Sequence, residues 1–250
     1  MTPVWYERLP AAEADGARIY AIGDLHGHFR ELRGLYGKLL SDGLHPARDR
    51  VIFLGDFVDS GPDAPLVVQQ MIAWQQRYPH WRFLMGNHEA LFLDAIAGWP
   101  HGDRDALDHW WANGGSATWR AYVGPDVEFA TLDDPFADVP VEHRAWLAGL
   151  PRVMETDRYL FVHAGLRPGV PVVENDPEDL IWIRDTFIRS QDDWGKTVIY
   201  GHTGVKEPLV LPNKIGINTM PRNEGALTAV FLDDRADGVT PRFIAQPAFS

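Results

Sequence analysis

Short apolar runs alternate with segments of helical periodicity along the first part of the chain. Three apolar runs predict buried strands at Arg18–Ile22, Val51–Leu54 and Trp81–Met85. Apolar positions between them recur every three or four residues, which predicts helices over Phe29–Leu40 and Pro65–Gln76 and a third beginning near His88. Strands that alternate with helices at this spacing indicate an α/β core.

The regular alternation of strand and helix patterns is lost in the middle of the chain. Residues 98–150 combine tryptophans at helix-like spacing with several prolines and glycines, and we interpret them as a mostly helical insertion covering one end of the sheet. Its tryptophans are Trp99, Trp110, Trp111, Trp119 and Trp146. Strand-like runs return at Tyr159–Val162, Thr197–Tyr200, Pro208–Leu211, Lys214–Asn218, Ala226–Leu232 and Arg242–Ala245. The last runs follow one another closely, as hairpins do, so we expect a mixed sheet.

Polar side chains follow five of the predicted strands, and each of these strand ends carries an Asp, Asn or His next to a glycine. The segments GDLHGH, GDFVDSG, GNHE, FVHAG and YGHT contain Asp24, His26, Asp56, Asp59, Asn87, His88, Glu89, His163 and His202. Taken singly, Asp24 or His163 would more often be a turn, capping or hydrogen-bonded residue than a ligand. Repetition at five strand ends favours a shared site, because ligands of open α/β sheets bind at that edge.

The residue types indicate what this site would bind. Carboxylate, amide and imidazole ligands without thiolates suit Mn²⁺, Fe²⁺, Zn²⁺ or Mg²⁺. A carboxylate that bridges two dications holds them about 3.5–4 Å apart, where they lower the pKa of a shared water and neutralise charge on a phosphoryl group. Such a pair is therefore expected at this edge of the sheet.

Composition and charge narrow the range of partners. The hydrophobic content of 45% and charged content of 23% are ordinary for a globular protein, and the apolar runs fall far short of the roughly 20 residues that cross a bilayer. A net charge of −12 argues against a nucleic-acid polymer as partner but leaves a small phosphorylated substrate open, since bound dications reverse the local field. Without cysteine or an evident secretory signal, we expect a cytoplasmic location and no membrane partner.

Five ordered motifs, GDLHGH, GDFVDSG, GNHE, VHAG and YGHT, resemble those of the calcineurin-like metallophosphoesterases, above all the bacterial and phage Ser/Thr phosphoprotein phosphatase branch. The resemblance covers about residues 18–230. It implies a single metallophosphoesterase domain over residues 1–250 with an α/β fold of the four-layer α+β type. In this fold mixed β-sheets form a central sandwich flanked by helices.

The resemblance also implies roles for the polar residues. Two divalent cations, with Mn the expected metal and Fe, Zn or Mg as alternatives, would be held by Asp24, His26, Asp56, Asn87, His163 and His202. Asp56 would bridge one metal, held also by Asp24 and His26, to the second. A hydroxide between the metals would attack phosphorus in line. His88 would be the general acid that protonates the leaving oxygen, with Asp59 orienting its imidazole.

Two positions lack the positive charge that similar sequences carry. Those sequences usually read GDxVDRG, whose arginine holds the substrate phosphate, where this chain has Ser60, and often have Arg or Lys where it has Met85. Losing one charge-assisted hydrogen bond of about 1.5–3 kcal/mol would lower efficiency tens- to hundreds-fold. Arg184, which we place on a helix facing the site, is a candidate replacement, with local pairing to Asp185 or Glu178 as the alternative. The expected phosphate-binding residues are Arg184, Asn87 and Ser60.

Two further departures bear on function. Phosphodiesterase branches resemble one another in a GHxH segment, but here Gly204 stands where the second histidine would be, which favours monoesterase or dinucleoside-polyphosphatase chemistry. The late segment INTMPRNEG carries Asn218 and Met220 where many similar sequences read IDTGA, so the role of that loop stays open.

Three functions fit these residues. The leading hypothesis is a two-metal phosphomonoesterase of the Ser/Thr protein phosphatase type, acting on phosphorylated proteins, peptides or small phosphoesters. The alternative is a hydrolase of dinucleoside polyphosphates such as diadenosine tetraphosphate, whose adenine the insertion could stack, although its spacing favours an internal core. The third is a weakly catalytic regulatory module, against which the intact His88 and Asp59 argue.

Overall fold

Two mixed β-sheets pack face to face at the centre of the fold, with helices on their outer faces. The computed structural model describes residues 3–10, 18–220, 224–234 and 240–249. The strands are β1 (Tyr6–Arg8), β2 (Arg18–Ile22), β3 (Arg50–Phe53), β4 (Arg82–Phe83), β5 (Val153–Glu155), β6 (Tyr159–Val162), β7 (Thr197–Tyr200), β8 (Leu209–Leu211), β9 (Lys214–Gly216), β10 (Ala226–Asp233) and β11 (Arg242–Pro247). The α-helices are α1 (Phe29–Ser41), α2 (Ala64–Arg77), α3 (Asn87–Gly98), α4 (Arg104–Trp110), α5 (Ser116–Val123), α6 (Val141–Ala148), α7 (Asp179–Trp182) and α8 (Asp185–Ile188).

Both sheets combine parallel and antiparallel pairs. One sheet has the order β11-β10-β2-β3-β4, in which β2, β3 and β4 are parallel while β10 runs antiparallel to β2 and β11. The other has the order β1-β5-β6-β7-β9-β8, with β6, β7 and β9 parallel and antiparallel pairs at β5–β6 and β8–β9. The predicted mixed sheet is confirmed, and the parallel strands of each sheet direct their carboxyl ends to a common edge.

Alternate residues of the central strands enter different cores. In β2, Ile19 and Ala21 lie between the two sheets, while Tyr20 and Ile22 pack under the helices of the outer face. The other sheet likewise packs its outer face against α7 through Leu180 and against α8 through Phe187. Helix, sheet, sheet and helix therefore form four layers, as expected. Strands buried on both faces read as continuous apolar runs, which is why the central strands were predictable.

Strands β1 and β5 were not predicted. Each has three residues, and β1 reads Tyr-Glu-Arg, so neither carries an apolar pattern long enough to mark a strand. They exist because they pair with each other in parallel and extend an already formed sheet beyond β6.

Residues 98–150 form α4, α5 and α6 together with short 3₁₀ and π-helical turns. Trp110 and Trp119 are buried there, and the ring of Trp110 stacks on Phe92 of α3 with centroids 5.0 Å apart. The prediction that these tryptophans face inward is confirmed for this pair. Within the described ranges, no helix combines the length and apolarity needed to span a bilayer.

Candidate functional site

The loops that follow β2, β3, β4, β6 and β7 converge on one place, and Asp56 lies at its centre. Its Oδ2 lies 3.6 Å from Nε2 of His26 and 3.3 Å from Nε2 of His163. The amide oxygen of Asn87 approaches the same His163 nitrogen at 3.0 Å. The structure thus brings together side chains that are separated by more than a hundred residues in sequence.

Two overlapping groups of side chains present donor atoms within 4.8 Å of one another, close enough to surround a cation. One group consists of His26, Asp56 and His88, and the other of Asp56, His163 and His202. Asp56 belongs to both, which is the placement expected of a carboxylate shared between two metals.

Two of the imidazoles, those of His26 and His163, are oriented for metal binding by backbone carbonyls. Nδ1 of His26 lies 3.2 Å from the carbonyl oxygen of Val58, and Nδ1 of His163 lies 2.8 Å from that of Leu54. A histidine that donates from Nδ1 keeps a lone pair on Nε2, and this arrangement is the usual support of a metal-binding histidine. The donor set and its orientation therefore fit a pair of divalent cations.

Asp24 lies beside these groups rather than within them. Its two carboxylate oxygens accept the backbone N–H of His202 at 3.2 and 3.0 Å, and one also accepts Nδ2 of Asn218 at 2.6 Å. A Cβ on Gly201 would overlap this carboxylate, so glycine there is required for close approach. Sequence reasoning left the role of Asn218 open; in the structure it ties Asp24 to the carbonyl of His202.

Burial and mutual interactions shift the pKa values of the clustered side chains. Burial and the neighbouring Asp56 raise the pKa of Asp24 and of Glu89 to about 7. Burial lowers the pKa of His163, but the carboxylates of Asp56 and Asp24 outweigh it and raise that pKa to about 9. In return His163 and the other imidazoles hold the pKa of Asp56 well below its usual range, against the effect of burial. Buried carboxylates in such a cluster favour bound cations.

His88 and Asp59 form a hydrogen-bonded pair at the edge of the cluster. Nδ1 of His88 lies 2.9 Å from Oδ2 of Asp59, whose side chain is fully buried. Nε2 of His88 faces the cluster, 4.0 Å from Asp56. Burial lowers the pKa of His88, yet Asp56 and the bond to Asp59 outweigh it and raise the pKa to about 9. The bond to Asp59 engages Nδ1, which leaves Nε2 as the nitrogen that could transfer a proton.

The loops that carry these residues are held in sparsely populated backbone conformations. Among the described residues, the non-glycine positions with positive φ are His26, Asp56, Asp59, Ser60 and His202, with φ between 44° and 69°. Such conformations cost about 1–3 kcal/mol each and persist where the surroundings enforce them. Their confinement to this site indicates that loop geometry serves the placement of side chains.

Glu89 enforces much of that geometry. Its Oε2 accepts the backbone N–H of Asp56 and of Gly86 at 2.8 Å each. Its Oε1 accepts those of Phe57 at 2.7 Å and Val58 at 3.3 Å. Glu89 was recognised as part of the GNHE motif without a role, because these bonds join loops that meet only in the folded chain.

We expect Glu89→Gln to lower the free energy of unfolding of the metal-free protein by about 2–6 kcal/mol, since the amide nitrogen cannot accept two of these N–H groups. Urea unfolding followed by circular dichroism measures the change. Glu31→Gln is the matched control, because Glu31 is also buried on a helix but accepts one backbone N–H, from Phe249 at 2.9 Å. A loss no larger than that of the control would contradict the role of Glu89.

Arg184 lies at the site but not on a helix, so that part of the prediction is wrong. It occupies the junction between α7 and α8 with φ −131° and ψ −105°, and its Nε donates to Nε2 of His202 at 2.9 Å. Its two suggested local partners bind elsewhere, Asp185 to Arg189 and Glu178 to Arg152.

Ser60 packs against the helical insertion. Its backbone N–H donates to the carbonyl oxygen of Gly114 at 3.2 Å, and a Cβ on Gly114 would lie 2.7 Å from the Ser60 hydroxyl. The insertion therefore touches the loop that carries Asp56 and Asp59.

Comparisons with known proteins agree with this geometry. The chain is 27% identical over 236 residues to an asymmetrical bis(5'-nucleosyl)-tetraphosphatase, PrpE, of Geobacillus sp. (strain WCH70), covering 85% of this chain and 89% of that protein. It is 31% identical over 151 residues to a symmetrical bis(5'-nucleosyl)-tetraphosphatase of Janthinobacterium sp. (strain Marseille), and the match covers 60% of this chain and 44% of the relative. The chain therefore spans less than half of that relative's length.

A solved structure shares the fold. It is a serine/threonine phosphatase from Saccharomyces cerevisiae with similarity to human phosphatase PP5, and it superimposes with a TM-score of 0.68 over 98% of this chain and 84% of its own, at 15% identity. The family model of calcineurin-like phosphoesterases matches residues 17–223, which is most of the chain. This match, together with the converging carboxylates and imidazoles, establishes that the protein belongs to this family and is a metal-dependent phosphoric ester hydrolase.

Proposed function

We propose that the protein is a phosphomonoesterase of the Ser/Thr protein phosphatase type, hydrolysing phosphoserine or phosphothreonine and small phosphate esters. The observation that carries this proposal is the His88–Asp59 pair beside the shared carboxylate of Asp56. A serine or threonine alkoxide is a strongly basic leaving group and departs readily only when it is protonated. A nucleotide leaving from a polyphosphate is a weak base with little need of an acid, so a firmly held acid favours ester substrates.

Each residue of the site has a part in this reaction. Asp24, His26, Asp56, Asn87, His163 and His202 would hold two divalent cations. The cations would activate water and neutralise charge on the phosphoryl group. His88 would give its Nε2 proton to the leaving oxygen while Asp59 holds Nδ1. Arg184 would bind the phosphate from the exposed side, near His202, together with Asn87 and Ser60.

A second candidate, hydrolysis of dinucleoside polyphosphates, is favoured by a different observation. The rings of His109, on the insertion, and Trp182 lie nearly parallel, 16° apart with centroids separated by 5.9 Å. The indole of Trp182 also lies 6.1 Å from the ring of His202. Two nearly parallel aromatic rings beside His202 could bind a purine by stacking. The curated relatives described above act, by their names, on such nucleotides.

Assay of the Mn-loaded protein against four substrates separates these candidates. We expect kcat/KM for a phosphoserine peptide and for an aryl phosphate to exceed that for diadenosine tetraphosphate by at least about tenfold, which corresponds to 1.4 kcal/mol of transition-state stabilisation. Bis-aryl phosphodiester should be the poorest substrate. Preference for the dinucleotide would establish the second candidate instead. Preference for the diester would contradict both.

A further inference from the structure

The helical insertion reaches the buried side of the catalytic pair. Trp110, the last residue of α4, is fully buried, and its indole N–H donates to Oδ1 of Asp59 at 3.0 Å. The other oxygen of Asp59 contacts Nδ1 of His88 at 2.9 Å. The carboxylate is therefore held from both ends, one oxygen by the insertion and the other by the imidazole.

Trp110 is itself held in place. Its ring stacks on Phe92 at 5.0 Å and packs against Phe136 at 5.7 Å. A Cβ on Gly115 would overlap the indole, so the turn that follows α4 passes directly beneath it. With its ring held on these sides, the indole directs its N–H at Oδ1 of Asp59.

The same insertion also holds the backbone of the Asp59 loop. Thr118 Oγ1 accepts the N–H of Asp59 at 2.6 Å, and the carbonyl of Gly114 accepts that of Ser60 at 3.2 Å. Both loop residues have left-handed φ, 69° and 67°. The insertion thus makes three hydrogen bonds to a strained two-residue segment, one of them to the reacting pair itself.

A buried indole needs an acceptor in any protein, so burial alone does not establish a catalytic link. Trp119 shows how the same insertion satisfies such a donor without involving the site, because its N–H donates to the carbonyl of Pro135 at 2.8 Å. Trp110 instead donates to a carboxylate whose second oxygen orients His88. A charge-assisted bond of this kind is about twice as strong as a neutral one and fixes the plane of the carboxylate.

We propose that Trp110 is a positioning residue for the general acid, holding Asp59 so that Nε2 of His88 faces the leaving oxygen. This inference rests on the assignment of His88 as the acid in the proposed function. By this inference the helical insertion contributes a residue that orients the catalytic pair, in addition to packing over the sheet. Proton donation by His88, and not metal binding, is the step that depends on the indole N–H.

The test is Trp110→Phe in the Mn-loaded full chain, which keeps the buried ring and removes the N–H. Turnover is measured on phosphate esters of increasingly basic leaving groups: nitrophenol, phenol and serine. We expect kcat for the nitrophenyl ester to change less than about threefold and kcat for the phenyl and seryl esters to fall at least about tenfold, with KM unchanged. Trp119→Phe is the matched control and should change all three substrates equally.

Two further variants separate a failure of the Trp110 inference from misfolding and from a wrong assignment of the general acid. Gly115→Ala displaces the indole without removing it and should show the same dependence on leaving group if Trp110→Phe does not fold. An equal loss on all substrates, or none, in a variant of unchanged thermal stability overturns the inference. His88→Asn must show the same dependence more strongly. If it does not, the acid assignment of the proposed function fails, independently of Trp110.

Discussion

Removal of divalent cations with a chelator is expected to lower the turnover of a small aryl phosphate by more than about 1,000-fold. The loss of one preorganised group that stabilises transition-state charge costs about 100- to 1,000-fold in other enzymes, and here both cations and the water they activate would be lost together. The carboxylate, amide and imidazole donors that surround Asp56 would serve as ligands to the cations, so the attacking hydroxide is expected to come from a water that the cations activate. Stopped assays before and after chelation, with metal content measured on the same samples, report the effect.

Restoration by Mn²⁺ provides the control, and its pH dependence has a definite sign. In the metal-free protein the pKa of His163 is raised to about 9, so at pH 7 a proton must leave before this ligand binds. Apparent metal affinity should therefore rise with pH from 7 to about 9 and level off above it. Full activity of protein shown to contain no metal would contradict the two-metal assignment.

The substitution His88→Asn is expected to lower kcat on a phosphoseryl peptide by about 100- to 10,000-fold, the usual contribution of a general acid. Asparagine cannot transfer a proton from the position of Nε2, and it leaves Asp59 without its imidazole partner. Metal content measured by elemental analysis should stay that of the wild type.

Metal content is the decisive control, because Nε2 of His88 lies with His26 and Asp56 in one of the two possible metal-binding groups. Loss of a metal from His88→Asn would identify His88 as a ligand and remove it as the acid. His143→Asn is the matched substitution, since His143 is a buried histidine on α6 that contacts Tyr122 and Gln69 away from the cluster. It should leave kcat and metal content unchanged.

Much of the fold was predictable because the central strands are buried on both faces. Their apolar runs are read directly from the sequence, and β2, β6 and β7 have the predicted bounds. Residues Trp81–Met85 were predicted as one strand, whereas β4 has two residues, since only Arg82 and Phe83 find partners on β3. Strand length at a sheet edge depends on the neighbour, which local sequence does not contain.

The sequence by itself determined which residues could form the site. An acidic, amide or imidazole side chain beside glycine after five of the predicted strands was enough to group Asp24, Asp56, Asn87, His163 and His202, because strand ends of an α/β fold share one edge. Only the tertiary structure decided how they are held. Glu89 joins two loops, Asn218 reaches Asp24 across 194 positions, and Trp110 reaches Asp59 across 51. Apart from the bond between Glu89 and Gly86, these hydrogen bonds join residues far apart in the sequence, and the local sequence carries no sign of the partner, so they exist only after the chain has folded.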